Sequence, residues 1–65
     1  MTETEKKTIL AFAENDMNIT KTAKRTYMSI GGIRGRLYKI AEKYKYDPYI
    51  FYDLIELVRM AGGKI

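Results

Sequence analysis

Apolar residues recur at helical spacing in four separate stretches of this chain. In the longest stretch, 30–44, an apolar side chain returns to one stripe every three or four positions. Stretches of the same kind lie at 2–15 and 19–26 before it and at 49–61 after it. The pattern predicts an all-α fold, a four-helix domain in which residues 1–65 form one unit.

Residue types that cap helix N-termini precede all four stretches: Thr2, Asn18, Ser29 and Asp47. Glu5 stands three residues after Thr2, which is the spacing of a capping box. Pro48 suits the first position of the fourth helix, and the residue before a proline disfavours helix, so the third helix should end before it. Gly62 and Gly63 are expected to stop the fourth helix, with Lys64 near its negative end.

Only three residues, 27–29, separate the second predicted helix from the third. A short helix, a tight turn and a longer basic helix are the layout of a helix-turn-helix, which places its second helix in the major groove of DNA. Ala23 is small enough for two helices to cross closely there, and Met28 is the apolar turn residue expected to fill the angle between them. We therefore expect a central helix-turn-helix at 18–45, completed by the flanking helices.

The composition argues against catalysis. The chain has no cysteine and no histidine, which excludes disulfides, thiolate metal sites and the commonest general base. Its carboxylate pairs lie near helix ends without partner groups, and Gly31-Gly32 does not follow a strand as a nucleotide-binding loop would. We expect no enzymatic activity, no metal and no cofactor. Because 65 residues enclose only a small core, self-association is the natural source of further stability.

The formal net charge is +4, and the basic residues are concentrated in the middle of the chain. Seven of the twelve Lys and Arg lie between Lys21 and Lys43, where Glu42 is the only acid. This distribution predicts one basic surface between two more acidic flanks. No segment has the roughly 18 apolar residues of a membrane span, and the N-terminal residues lack the apolar core of a signal peptide. We expect a cytoplasmic protein with no membrane partner.

The apolar face of the predicted fourth helix spans an arc of roughly 160°, which is wider than a core-facing surface helix usually shows. Two interpretations stay open. The helix is sunk deep in a small core, or part of its face covers a second copy of the chain. In the second case the dimer interface would comprise four residues: Phe51, Leu54, Ile55 and Val58.

Two motifs carry a resemblance to a known family. The run Asn18-Ile19-Thr20-Lys21-Thr22-Ala23-Lys24 matches a family run of asparagine, an apolar residue, Ser or Thr, any residue, Thr, Ala and a basic residue. Ile33-Arg34-Gly35-Arg36-Leu37 matches a recognition-helix pattern of two arginines between apolar residues. Over 8–61 the chain resembles the C-terminal helix-turn-helix domain of PucR/CdaR-type bacterial transcription regulators, and more distantly Fis-like domains. The resemblance implies binding of double-stranded DNA in transcription control. Members of the family are usually the tail of a longer regulator, and the difference in length suggests either a small stand-alone regulator of the kind that phages or plasmids carry or an excised domain.

The resemblance also implies which residues contact DNA. Thr20 and Lys21 would meet a phosphate at the start of the second helix, and Ile30 would lie at the groove mouth. The basic residues of the third helix would run along the DNA backbone, although an ordinary solvated face is the alternative for the lysines. The implied set is Thr20, Lys21, Ser29, Ile30, Gly31, Gly32, Arg34, Gly35, Arg36 and Lys39.

Glycine occupies the face of the third helix that would meet base edges. Gly31, Gly32 and Gly35 lie opposite the apolar stripe, between Arg34 and Arg36. In one explanation the backbone approaches the groove closely while the arginines contact phosphates or a guanine edge, and the chain is a DNA-binding regulator acting as a homodimer. In a second, the strip docks another protein, and the chain is an accessory protein that binds another transcription regulator. In a third, the glycines are neutral or allow a bend.

The six tyrosines are expected to be structural rather than to stack on nucleic-acid bases. Tyr44 lies on the apolar stripe of the third helix, with Tyr38 toward its edge. Tyr46, Tyr49 and Tyr52 surround the corner between the third and fourth helices. Core or interface roles are therefore favoured over stacking.

Overall fold

The computed structural model describes residues 1–63, which form four α-helices: α1 (Glu3–Glu14), α2 (Ile19–Thr26), α3 (Ile30–Tyr44) and α4 (Phe51–Met60). No strand occurs in these residues. The predicted all-α, four-helix fold with a central helix-turn-helix is confirmed. None of the four helices has the length and apolar run needed to cross a lipid bilayer. The expectation for Lys64 falls outside the described residues.

The first three helices begin at the predicted capping residues. In each case a side-chain oxygen accepts a backbone N–H three positions on: Thr2 Oγ1 from Glu5 at 3.1 Å, Asn18 Oδ1 from Lys21 at 2.9 Å, and Ser29 Oγ from Gly32 at 2.9 Å. The Glu5 carboxylate also accepts the N–H of Thr2, which completes the capping box. These caps satisfy N–H groups that have no partner inside the helix.

The fourth helix begins two residues later than predicted, and Asp47 is not its N-cap. The Oδ1 of Asp47 accepts the N–H of Tyr49 at 2.8 Å, and its backbone carbonyl accepts the N–H of Ile50 at 3.0 Å. Residues 47–50 therefore form a turn. The first helical bond of α4 runs from the N–H of Leu54 to the carbonyl of Ile50, 2.8 Å away, so Ile50 is the N-cap. The predicted 49–61 helix is accordingly shorter.

The hydrophobic core lies around α1, which packs against each of the other three helices. α2 also packs against α3, whereas among the described helices α4 approaches only α1. Ten apolar residues are buried, nine within the four helices and one, Ala61, directly after α4. They are Ile9, Phe12, Ala23, Ile33, Leu37, Ile40, Leu54, Leu57, Val58 and Ala61. This arrangement fixes the helix-turn-helix on one side of α1 and α4 on another.

A residue with positive φ makes the tight turn between α2 and α3. Tyr27 has φ 57° and ψ 38°, the left-handed conformation that usually falls to glycine. The N–H of Met28 donates to the carbonyl of Ala23 at 2.9 Å, which closes the end of α2. The Met28 side chain packs against the core, as its predicted role between the two helices requires.

The Glu5 carboxylate ties the start of α1 to the end of α3. Its Oε1 accepts the N–H of Thr2 at 2.7 Å and the hydroxyl of Tyr44 at 2.8 Å, and its Oε2 lies 3.3 Å from the Nζ of Lys43. Only 17% of the Glu5 side chain is exposed. The Thr2 N–H, followed by the Tyr44 hydroxyl, lowers the pKa of the Glu5 carboxyl from 4.5 to about 2. The hydrogen bonds to Glu5 in turn raise the pKa of Lys43 and of Tyr44.

We expect Glu5 to make the folded state sensitive to acid. Because its pKa is lowered by folding, its contribution to stability is complete above about pH 4.5 and is lost as the pH falls toward about 2. Glu5→Gln should lower the free energy of unfolding near neutral pH by about 1 to 2 kcal/mol, since a neutral amide accepts these bonds more weakly.

Urea denaturation at about pH 7 and about pH 3 checks this expectation. The wild type should lose more stability between the two pH values than Glu5→Gln does. The matched control is Glu3→Gln, because the Glu3 side chain is 81% exposed and contacts only Lys6, at 3.6 Å. Equal losses in wild type and Glu5→Gln would contradict the prediction.

Candidate nucleic-acid interface

The residues predicted to contact DNA belong to α2, the turn and α3, and almost all of them are exposed. Nine of the ten are exposed, and the tenth, Gly32, is partly buried. Thr20 and Lys21 occupy the first turn of α2, while Ser29 and Ile30 begin α3. Ser29 Oγ is already engaged in capping the helix, and Ile30 is 41% exposed. The predicted set is thus accessible to a ligand, and we call these ten residues the recognition surface.

The positive charges of the recognition surface are mostly free of carboxylate partners within the chain. Among residues 1–63, the side chains of Arg34, Arg36 and Lys39 form no ion pair, whereas the Nζ of Lys21 lies 3.0 Å from the Oδ2 of Asp16. Both members of that pair are exposed, so it contributes little and can exchange for another anion. Asp16 thus partly neutralises the charge of Lys21, and the sequence pattern did not predict this ion pair.

Arg34 and Arg36 lie on opposite flanks of α3, as the helical spacing predicted. Arg34 lines a groove of about 710 Å³ together with Tyr38 and the segment 45–49. Arg36 lines smaller hollows on the side of α3 that faces α1, one of them shared with Lys39. The two guanidinium groups therefore frame the exposed strip of α3 from both sides. Glu42 is the one acid on this helix, and its hydrogen bond raises the pKa of the Tyr38 hydroxyl.

The three glycines of α3 do not share one environment. A Cβ atom built on Gly31 or Gly35 would meet nothing within 4 Å, so both positions face open space. A Cβ on Gly32 would lie 3.1 Å from Ser29 Oγ and 3.2 Å from Met28 Cε. The bare face predicted for all three glycines is therefore confined to Gly31 and Gly35, while Gly32 packs against the turn.

We expect Gly31→Ala and Gly35→Ala each to raise the free energy of unfolding by about 0.5 to 1 kcal/mol, because alanine restricts the unfolded chain and fits the helix without a clash. Urea or thermal denaturation followed by circular dichroism measures the change. The opposite sign is expected for Gly63→Ala, a loss of about 1 to 3 kcal/mol. There the Cβ would lie 2.5 Å from Val58 Cγ1 and 2.9 Å from Leu10 Cδ2. A destabilised Gly31→Ala would show that these glycines serve the fold.

Large apolar side chains are exposed where the sequence favoured structural roles. Tyr27 is 97% exposed, Tyr52 is 77% exposed and Tyr38 is 65% exposed. Tyr49 is half exposed, whereas Tyr44 and Tyr46 pack against the core. A core role therefore applies to Tyr44 and Tyr46, and an interface role for the exposed tyrosines stays a prediction. Hydrophobic periodicity could not separate these cases, because an aromatic residue at the edge of a stripe is compatible with either environment.

Two of the four residues proposed for a dimer interface are buried within the monomer. Leu54 is 4% exposed and Val58 is 6% exposed, because both face α1. Phe51 is 60% exposed and Ile55 is partly exposed. They line an apolar hollow of about 360 Å³ between α4 and the end of α1. One side of the wide apolar face therefore forms core, and the other side remains open, where pairing with a second copy stays a prediction.

No group of three or more acidic side chains in residues 1–63 is arranged to hold a metal ion. Comparisons of the chain with protein-family models, with curated proteins and with solved structures found no match. The resemblance to PucR/CdaR-type domains stays a prediction.

Proposed function

We propose that this chain is a small DNA-binding transcription regulator that acts through its helix-turn-helix, as a homodimer in the cytoplasm. The observation that carries the proposal is the recognition surface itself. Four of its ten residues are basic and none is acidic, and three of the four, Arg34, Arg36 and Lys39, have no ion pair among the described residues. A basic surface centred on a helix-turn-helix is typical of a domain that docks on the negatively charged duplex.

In this proposal the N-terminus of α2 holds one phosphate, which Thr20 and Lys21 would approach with hydroxyl and ammonium groups. α3 enters the major groove, and Gly31 and Gly35 let its backbone approach the bases closely because nothing projects from them. Arg34 and Arg36 reach the backbone or a guanine edge on either side. The resemblance of 18–24 and 33–37 to PucR/CdaR-type domains supports the same reading.

Electrophoretic mobility shifts with duplexes from the upstream region of its own operon test the proposal. Specific retardation that weakens steeply with salt is the expected result, with a slope of log K against log salt of about −0.9 for each phosphate contacted. No retardation above that of an unrelated duplex at low salt would contradict it.

The dimer part of the proposal predicts a hydrodynamic result. Phe51 and Ile55 offer an apolar surface beside an open hollow, and pairing there would place two α3 helices about one DNA turn, roughly 34 Å, apart. The wild type should sediment as a dimer at tens of micromolar, and Phe51→Ser should sediment as a monomer with unchanged helix content. Met60→Ser is the control, because Met60 is also exposed but lies on the opposite face of α4. A wild-type monomer would contradict pairing.

The exposed run 49–52 favours a second candidate function. Its four consecutive large apolar residues are each at least half exposed: Tyr49, Ile50, Phe51 and Tyr52. Exposed aromatic patches of this kind are common at protein interfaces. The alternative is therefore an accessory protein that binds another transcription regulator. A regulator that co-purifies with the chain, together with no specific DNA retardation, would favour this alternative.

A further inference from the structure

Three basic side chains from three different helices line one cleft. Lys7 of α1, Arg25 of the last turn of α2 and Arg36 of α3 surround a cavity of about 300 Å³. Tyr27 stands at the same cavity, and none of the described residues that line it is acidic. We call it the three-cation cleft. Lys7 and Arg25 are not among the residues that the sequence predicted for DNA contact.

The charges of the three-cation cleft have no counterion from residues 1–63. Elsewhere in these residues the side chains of Lys6, Lys21, Lys43 and Arg59 each have a carboxylate oxygen within 3.6 Å. No such pair forms at Lys7, Arg25 or Arg36. Three like charges around one concave site repel each other and create a positive potential that an anion relieves.

The hydrogen-bond donors in the cleft suit a phosphate. The hydroxyls of Thr8 and Thr26 donate to main-chain carbonyls at 2.8 Å, so their protons are already committed. The donors that remain are the three cationic groups and the phenol of Tyr27, and guanidinium groups bind phosphate oxygens in pairs. The cavity holds about ten water volumes of roughly 30 Å³, which is ample space for one phosphate group.

Tyr27 supplies an independent reason to assign a role to this cleft. It keeps a left-handed backbone conformation, with φ 57°, that glycine would adopt more cheaply, and its side chain is 97% exposed. The phenol therefore contributes almost no burial to the folded chain. Its hydroxyl is thus accessible to a ligand at the rim of the cleft.

We propose that the three-cation cleft binds a phosphate group. This part of the inference rests on the proposed DNA-binding function. In that case the phosphate belongs to the backbone of the duplex, beside the groove that α3 enters. The other source of the same chemistry is a free phosphate compound, and the experiment below separates the two.

Binding of two unrelated duplexes is measured over a range of salt for Lys7→Gln, Arg25→Gln and a control, Arg59→Gln. Arg59 is exposed, lies in α4 outside the cleft and the recognition surface, and pairs among residues 1–63 only with the partly exposed Glu56, so the control loses the same charge. Each cleft variant should bind both duplexes about 5- to 10-fold more weakly, with a salt slope smaller by about 0.9, whereas the control should change affinity less than about 2-fold. Tyr27→Gly should also bind more weakly while unfolding at a higher urea concentration.

Two results overturn the inference while leaving DNA binding intact: cleft variants that bind like the wild type, or a control that weakens as much as they do. If the wild type binds no duplex, the proposed function fails. Titration with pyrophosphate followed by NMR then tests whether the cleft binds a free phosphate compound. Saturable shifts at the side-chain N–H groups of Arg25 and Arg36, abolished in Lys7→Gln, would establish a site for a free phosphate compound. The absence of saturable shifts would overturn the site altogether.

Discussion

Replacing Arg34 and Arg36 together by glutamine is expected to weaken binding of duplex DNA by about 100-fold or more. Each guanidinium would lose charge-assisted hydrogen bonds to the DNA, and a bond to a charged group contributes about 1.5 to 3 kcal/mol. Neither side chain is engaged in an ion pair among residues 1–63, so their removal leaves no buried charge behind. Both are exposed, and the fold should be unchanged.

The matched control removes the same amount of charge from other surfaces. Lys6→Gln with Arg59→Gln lowers the net charge by two and eliminates only two exposed pairs, Lys6 with Glu3 and Arg59 with Glu56. Fluorescence anisotropy with a labelled duplex should separate the double variants by at least about tenfold in affinity. If both double variants bind equally weakly, the chain responds to net charge alone and the recognition surface has no special part.

Phe12→Ala is expected to unfold most of the protein at room temperature. The Phe12 side chain has no exposed surface, and its ring meets that of Tyr49 edge to face, with centroids 5.6 Å apart. Truncation of a buried phenylalanine costs about 3 to 5 kcal/mol, which is comparable to the whole stability of a domain of this size. Circular dichroism should show a large loss of helix signal near 222 nm at about 25 °C.

Tyr52→Ala is the control for that experiment, since Tyr52 also forms an edge-to-face aromatic pair, with its ring centroid 5.5 Å from that of Phe51, but is 77% exposed. Its loss should change the free energy of unfolding by less than about 1 kcal/mol. A Phe12→Ala protein that melts with wild-type stability would mean that α1 is not the centre of the core.

The bounds of α2 and α3 could be predicted because their caps are local. Asn18 and Ser29 each bond a backbone N–H three residues ahead, a relation that is contained within the sequence itself. The start of α4 could not be predicted in the same way. The N–H of Asp47 donates to Asp53 Oδ2 at 2.9 Å, so a residue six positions further on holds 47–50 as a turn.

The same distinction between local and long-range contacts applies to the candidate site. Arg34 and Arg36 flank α3 because residues in a helix advance by about 100°, and that geometry is known before the fold is. The three-cation cleft joins residues 7, 25 and 36, and the bond from Tyr44 to Glu5 spans 39 positions. Such contacts depend on how α1 crosses the helix-turn-helix. A single sequence carries no periodic signal for them.

Burial along α4 was also beyond the sequence. Its hydrophobic pattern could not say which part of a wide apolar face meets α1 and which part meets water. Leu54 and Val58 fell inside, while Ile50 and Phe51 stayed outside. The difference follows from where α1 lies, since α1 is the one described helix that α4 approaches.

Because of that position, α1 mechanically couples α4 to α3. Two connections join α4 to α3 in the described residues: the packed body of α1 and the covalent link 45–50. The first connection is stiff, because Phe12 is fully enclosed at one end of α1 and Glu5 holds Tyr44 of α3 at the other. A partner that packed against Phe51 and Ile55 would therefore have its orientation relative to α3 set by the packing of α1.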